Sequence, residues 1–102
     1  MEALFSITAA LHLKSNKITY GKFALGTHRG TALETFNLLK GKKEHKGPCS
    51  IQMELIQEGD DLPVPLCTIF CNLEDWKENA GIISREIFRI AQLEDTAIVP
   101  LQ

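Results

Sequence analysis

The sequence predicts an α+β domain: an antiparallel sheet with two helices in the order β-β-α-β-β-α, and a short C-terminal strand as an optional last element. Three observations predict it. Residues 4–14 alternate between apolar and polar side chains, the period of a half-buried strand. Residues 72–93 carry apolar side chains at spacings of three and four, the period of an amphipathic helix. In each half of the chain, two strand-like runs lie close together and are followed by a helical run, which reads as two hairpin-plus-helix units of similar length. The halves share no residue-level similarity, so duplication is only one option.

In the first strand Phe5, Ile7, Ala9, Leu11 and Leu13 point one way, and Ser6, Thr8, Ala10, His12 and Lys14 the other. Ser15-Asn16 makes the turn into a second strand over 18–25, where Gly21 interrupts the alternation and marks a candidate bulge. The stretch 26–30 reads as a loop, Thr31 as the cap of the first helix with Glu34 as its capping-box partner, and Gly41 as the stop. Cys49, Ile51, Met53 and Leu55 form the apolar side of a third strand. The fourth runs over 62–71; Pro63 and Pro65 cannot donate ladder hydrogen bonds, so its start belongs on an edge or is irregular. Asn72 caps the second helix, with Glu74 and Asp75 in its first turn. Trp76, Ala80, Ile83, Ile87 and Ile90 form its apolar stripe, flanked by Lys77, Glu78, Arg85, Glu86 and Arg89. Ile98-Val99-Pro100-Leu101 fits either a short strand or a tail packed on a neighbour.

A single domain over 1–102 fits this length, and a chain of this size buries about two-thirds of its unfolded surface without needing a staple. Hydrophobic residues make up 44% and charged residues 24%, which argues against disorder. The net charge of -2 removes any molecule-wide basic field and argues against nucleic acid as the partner. Apolar runs are all far shorter than the roughly 20 residues of a membrane helix. The first residues lack the pattern of a secretory signal, so with Met1 as native start the expected compartment is the cytoplasm. Three cysteines, Cys49, Cys67 and Cys71, suit free thiols better than a disulfide framework.

Cys67 and Cys71 sit four apart on the fourth strand, roughly 13 Å at about 3.3 Å per residue, whereas two ligands of one zinc lie within about 4 Å. No metal and no cofactor is therefore expected, and the thiols read as small buried apolar groups. The run Lys40-Gly41-Lys42-Lys43-Glu44-His45-Lys46 carries four lysines and a histidine, enough to meet phosphate or an acidic partner, but lacks an aromatic for stacking or an arginine to read a base. Gly26-Thr27-His28-Arg29-Gly30-Thr31 precedes a helix, where Arg29, His28 and backbone N–H groups suit a small anion; it matches neither a P-loop nor a dinucleotide fingerprint. Arg29, His28, Lys42, Lys43 and Lys46 are the candidate ligand-binding residues.

No nucleophile elbow, zinc-protease helix or kinase signature is present, and no catalytic residue is assigned. The fourth strand, by contrast, carries Leu62, Val64, Leu66, Ile69 and Phe70 with little polar alternation. A strand apolar on both faces needs cover on both, and one helical layer supplies only one. Val64, Leu66, Ile69 and Phe70 are therefore the candidate interface residues. The expected function is a non-catalytic interaction module, a homodimer or a subunit that binds another protein. Two alternatives remain. One is a binder of a small anionic ligand or nucleic acid through residues Lys40 to Lys46 and Arg29. The other is a small enzyme using His28 or a cysteine.

Overall fold

The alternating runs become a single sheet in the computed structural model, which describes residues 3–12, 16–43, 51–59 and 62–94. The elements are β1 (Leu4–His12), β2 (Lys17–Gly26), α1 (Arg29–Asn37), β3 (Ile51–Glu58), β4 (Val64–Cys71) and α2 (Leu73–Glu94), in the expected α+β order. The strands align as β2-β1-β3-β4, and every neighbouring pair is antiparallel. Residues 98–101, expected as strand or tail, lie outside the described residues, as do Cys49 and Lys46.

The odd-numbered side chains of the two central strands build the core. Phe5, Ile7 and Ala9 of β1 and Ile51, Met53 and Leu55 of β3 are buried under Ala32 and Phe36 of α1 and Ile83 and Ile90 of α2. Each side chain of isoleucine size removed from water contributes about 1.5–3 kcal/mol, so this face carries most of the drive to fold. On β2 the small pair Ala9 and Gly21 leaves room for the Phe23 ring, which comes within 3.6 Å of where a Cβ on Gly21 would stand. Trp76 of α2 packs on that ring at 6.1 Å between centroids.

On the opposite face two ion pairs span β1. Lys22 of β2 reaches over β1 to Glu58 of β3 at 2.7 Å, and Lys17 reaches over it to Glu54 at 3.3 Å. The register puts Lys22 beside Thr8 and Glu58 beside Leu4, so the first pair crosses above Ser6; by the same reading the second crosses above Ala10. Ser6 and Ala10 are 0% and 2% exposed, and among the described residues no helix lies on their side of the sheet. The lysine stems and the ion pairs lie over β1, whereas the apolar strand expected to need cover is β4, whose Phe70 is on this same face.

The two hairpins are built to one plan. Ile7 pairs with Phe23 and Ala9 with Gly21; after a one-residue bulge Ala10 pairs with Thr19. In the second hairpin Met53 pairs with Ile69 and Leu55 with Cys67; after a one-residue bulge Ile56 pairs with Pro65. Adding 46 to each number of the first set (7 to 53, 23 to 69, 10 to 56, 19 to 65) yields the second. The extra residues, Tyr20 and Leu66, are related in the same way. No equivalent strand position holds the same residue in both hairpins, so only pattern and register are shared.

Both helix starts follow the chain that enters them. Gly26 turns out of β2 with φ of 89°, a conformation that favours glycine, and α1 begins at Arg29 rather than after Thr31. His28 occupies the cap position: its carbonyl accepts the Ala32 N–H at 3.0 Å, while its side chain makes no cap bond. The early start places Thr31 inside the first turn. The helix also ends earlier than Gly41, at Asn37, where the Leu38 and Leu39 N–H groups tighten onto the Thr35 and Phe36 carbonyls at 3.1 Å. At α2 the expected cap is present: Asn72 Oδ1 accepts the Asp75 N–H at 2.8 Å and Asp75 Oδ2 accepts the Asn72 N–H at 3.5 Å.

The buried line of α2 differs from the apolar stripe read in the sequence. It runs through Asn79, Ile83, Glu86 and Ile90, with Trp76, Ala80 and Ile87 half-buried beside it. Glu86 was expected on the charged flank. It is tolerated inside because Arg89 donates to it from Nε at 2.9 Å and Nη2 at 2.7 Å. Asn79 is satisfied differently, and it organises the candidate site.

Candidate functional site

After α1 the chain crosses the outer edge of β4. Lys40 is held there by the buried Asn79 amide: Oδ1 accepts the Lys40 N–H at 2.7 Å and Nδ2 donates to the Lys40 carbonyl at 2.8 Å. The Cys71 thiol donates to the same carbonyl at 3.2 Å, and Asn79 Nδ2 also lies 3.4 Å from Cys71 Sγ and 3.5 Å from Met53 Sδ. Gly41 passes so close to the sheet that an added Cβ would stand 3.0 Å from the Phe70 carbonyl oxygen and 3.1 Å from both Cys71 Sγ and Ile69 Cδ1. Lys42 then pairs with Phe70 in the antiparallel sense: Lys42 N–H donates to the Phe70 carbonyl at 2.9 Å and Phe70 N–H to the Lys42 carbonyl at 2.7 Å.

That bridge fixes which backbone groups of β4 face outward. Residues along an antiparallel strand alternate between bonding the inner neighbour and facing away from it. Phe70 bonds outward to Lys42, so Ile69 bonds inward to β3 and Thr68 points outward again. Among the described residues no other segment supplies a backbone partner to Thr68. Its hydroxyl is engaged on the open face of the sheet, 3.5 Å from Glu54 Oε2. Beyond Thr68 the bulge at Leu66 and the missing N–H of Pro65 end the regular edge.

Beside this stretch of edge, between it and the end of α1, lies a cleft of about 460 Å3. Phe36, Leu39, Leu66 and Ile69 form its apolar walls, Cys67 and Thr68 lie on the strand side, and Lys43 also lines it. Apolar concavities of this size with one or two polar groups are where small ligands and side chains of a partner usually dock.

The residues singled out in the sequence divide between this place and others. Leu66 and Ile69 line the cleft, and Lys43 joins them. Val64 is paired with Gln57 near the far end of the strand and is exposed; Phe70, opposite Gln52, lies on the other face of the sheet. Cys67 and Cys71 share the helix-facing side of β4, where Cys71 is buried and Cys67 half-buried, both as free thiols. Arg29 and His28 stand at the start of α1, with Arg29 Nη1 donating to Gln57 Oε1 at 3.1 Å. Lys42 and Lys43 follow its far end, so the length of the helix, about 13 Å for nine residues, separates the two basic groups. Among the described residues no cluster of three or more His, Cys, Asp or Glu is placed to hold a metal.

Asn79, Gly41 and Thr68 carry this site and were not singled out. Asn79 had one available signal: it stands four before Ile83, on the line of the stripe, where a polar residue needs a buried partner. Nothing local marks the partner, which is 39 residues away. Comparison with protein-family models, characterised proteins and solved structures finds no match to this chain. The fold and the site thus define a small two-layer α+β domain of two like-registered hairpin-plus-helix units, in which the outward backbone groups of Thr68 lie beside a cleft without a backbone partner among the described residues. No helix of the described residues is long and apolar enough to cross a membrane.

Proposed function

We propose that this chain is a non-catalytic interaction module whose contact surface is the β4 edge and its cleft. The observation that supports the reading is Thr68, whose outward backbone groups lie beside apolar walls while Phe70, two residues on, already pairs with Lys42. Open strand edges recruit further strands, and proteins usually shield them. The β2 edge carries Lys17 and Lys22 and a bulge, all of which discourage pairing. The partner is a second copy of the chain or a different protein.

Two measurements test the proposal. In native-state hydrogen exchange, the Thr68 amide of the monomer should exchange roughly a hundredfold faster than that of Ile69, whose N–H is in the ladder. Equal protection of both would remove the surface. Scattering-derived mass over a dilution series then separates the partners. A mass above 11.4 kDa that Thr68→Pro abolishes makes the partner a second copy; a constant 11.4 kDa makes it heterologous.

A further inference from the structure

We infer that residues 40–42 form a latch across the outer edge of β4, one that lifts as a unit while the domain stays folded and so controls access to the Cys71 thiol and to the outward backbone groups of Phe70. The inference concerns how this edge opens and closes, and it does not depend on what the module binds. The latch is held by polar bonds rather than by burial. Lys40, Gly41 and Lys42 are all exposed, and none of them places a side chain in the core. Its attachments are the two bonds between Asn79 and the Lys40 backbone, the Cys71 thiol on the Lys40 carbonyl, the Lys42–Phe70 bridge and the surface ion pair of Lys40 with Glu78. Segments with few buried apolar contacts and solvent-facing backbone bonds open at far lower cost than a core.

The structure beneath the latch is of the opposite kind. Met53, Cys71 and Asn79 are fully buried, and β4 keeps its own ladder to β3, from Ile51 with Cys71 to Gln57 with Val64, whether or not Lys42 is in place. Lifting the latch therefore breaks its own few bonds and leaves the sheet intact. What it covers makes it a gate. A Cβ on Gly41 would stand 3.1 Å from Cys71 Sγ, so nothing bulkier than the thiol fits beneath the closed latch. Lifting it uncovers the sulfur and takes the Lys42 carbonyl away from the Phe70 N–H. A group attached to Cys71 occupies the space that Gly41 needs and holds the latch open.

The test is native-state hydrogen exchange and iodoacetamide labelling of the full chain carrying Cys49→Ser and Cys67→Ser, which leaves Cys71 as its one thiol. Both are run where reclosing outpaces the probe, so each rate, divided by that of the unprotected group, measures an opening equilibrium. The Phe70 amide and the Cys71 thiol should be protected to within about threefold of one another, and roughly tenfold or more below the amides of the central β1–β3 ladder. Low urea should leave both rates unchanged while it speeds the ladder amides, because lifting the latch exposes little surface. Protein labelled at Cys71 should keep its ladder protection and lose that of the Lys40, Lys42 and Phe70 amides. A Cys71 thiol that reacts only as the ladder opens, with the same dependence on urea, would overturn the latch. Protections of Phe70 and Cys71 that lie further apart than about threefold would overturn it as a single unit, since residues 40 and 42 would then move separately. Labelled protein whose ladder protection is lost as well would overturn the claim that the domain stays folded beneath it.

Discussion

Asn79 grips the backbone of Lys40 with both ends of its side-chain amide, accepting the Lys40 N–H at 2.7 Å and donating to the Lys40 carbonyl at 2.8 Å. A side-chain amide used in this way replaces one rung of backbone pairing. It ties the end of α1 to α2 and delivers Lys42 to the edge of β4. Asn79→Leu keeps similar volume but leaves the Lys40 N–H without its acceptor and the Lys40 carbonyl with the weaker Cys71 thiol as its donor. The expected loss is about 1–3 kcal/mol, the usual cost of unsatisfied part-buried groups, read as a lower urea midpoint with an unchanged slope. Faster exchange of the Phe70 amide should accompany it, because the Lys42 bridge loses its anchor.

Gly41 and Gly81 should respond oppositely to the same substitution. Gly41→Ala pushes a methyl against the Phe70 carbonyl, Cys71 Sγ and Ile69 Cδ1, and should destabilise by about 1–3 kcal/mol. Gly81 is exposed within α2 and an added Cβ there meets nothing within 4 Å. Gly81→Ala should stabilise by up to about 1 kcal/mol through helix propensity. Thermal midpoints moving in the same direction would contradict the placement of one of them.

Ile83 and Phe88 are five residues apart on one helix and face opposite surroundings. Ile83 is 0% exposed in the core and Phe88 is 72% exposed. Ile83→Ala should cost about 2–5 kcal/mol and Phe88→Ala no more than about 0.5 kcal/mol. Chemical denaturation of both variants checks the phase of α2, and comparable losses would show it to be rotated.

The two described thiols should differ in access. Cys71 is buried and bonded to the Lys40 carbonyl, whereas Cys67 lines the cleft. Brief labelling of the native protein with a small maleimide, followed by peptide mass mapping, should modify Cys67 well before Cys71. Denaturant should abolish the difference.

Two ion pairs set opposite limits on the pH range. Lys22 donates to Glu58 and holds its carboxyl below the ordinary value of 4.5, against the smaller opposing effect of burial. The stabilisation is complete above that value and is lost as pH falls through the lower folded one. Glu78 accepts from Lys40 and its charge raises that ammonium above the ordinary 10.5, so this contribution is complete below 10.5 and is lost as pH rises through the higher folded value. Denaturation midpoints of Lys22→Ala and Lys40→Ala should therefore approach the parent at the acid and alkaline ends respectively. Both pairs are solvent-facing, so added salt should narrow the differences at neutral pH.

Most of the fold is readable along the chain because its signals are short-ranged. The period of two that makes β1 and Asn72 with Asp75 three residues on each depend on neighbours within one or two turns. The same local reading misplaced the start of α1 at Thr31, since the helix is begun by the exit of the chain from β2 at Gly26 and closes its first turn on His28. It also misread the inward line of α2, because apolar spacing weighs hydrophobicity alone and cannot see that Asn79 and Glu86 have partners inside.

The sequence by itself determined the element order, the side of β1 that is buried, the bulge near Gly21 and the edge character of the proline-bearing strand. Each follows from side-chain alternation or from the backbone limits of glycine and proline, which act wherever the residue stands. Tertiary structure alone decided the shared register of the hairpins, the ion pairs that cross β1, and the outward facing of the Thr68 backbone. These join residues far apart in sequence, such as Lys22 with Glu58 and Lys40 with Asn79, and they exist only once the strands have chosen their neighbours. Pairing of Lys42 with Phe70 leaves Thr68 facing outward beside a cleft, and neither residue type carries that outcome in its local pattern.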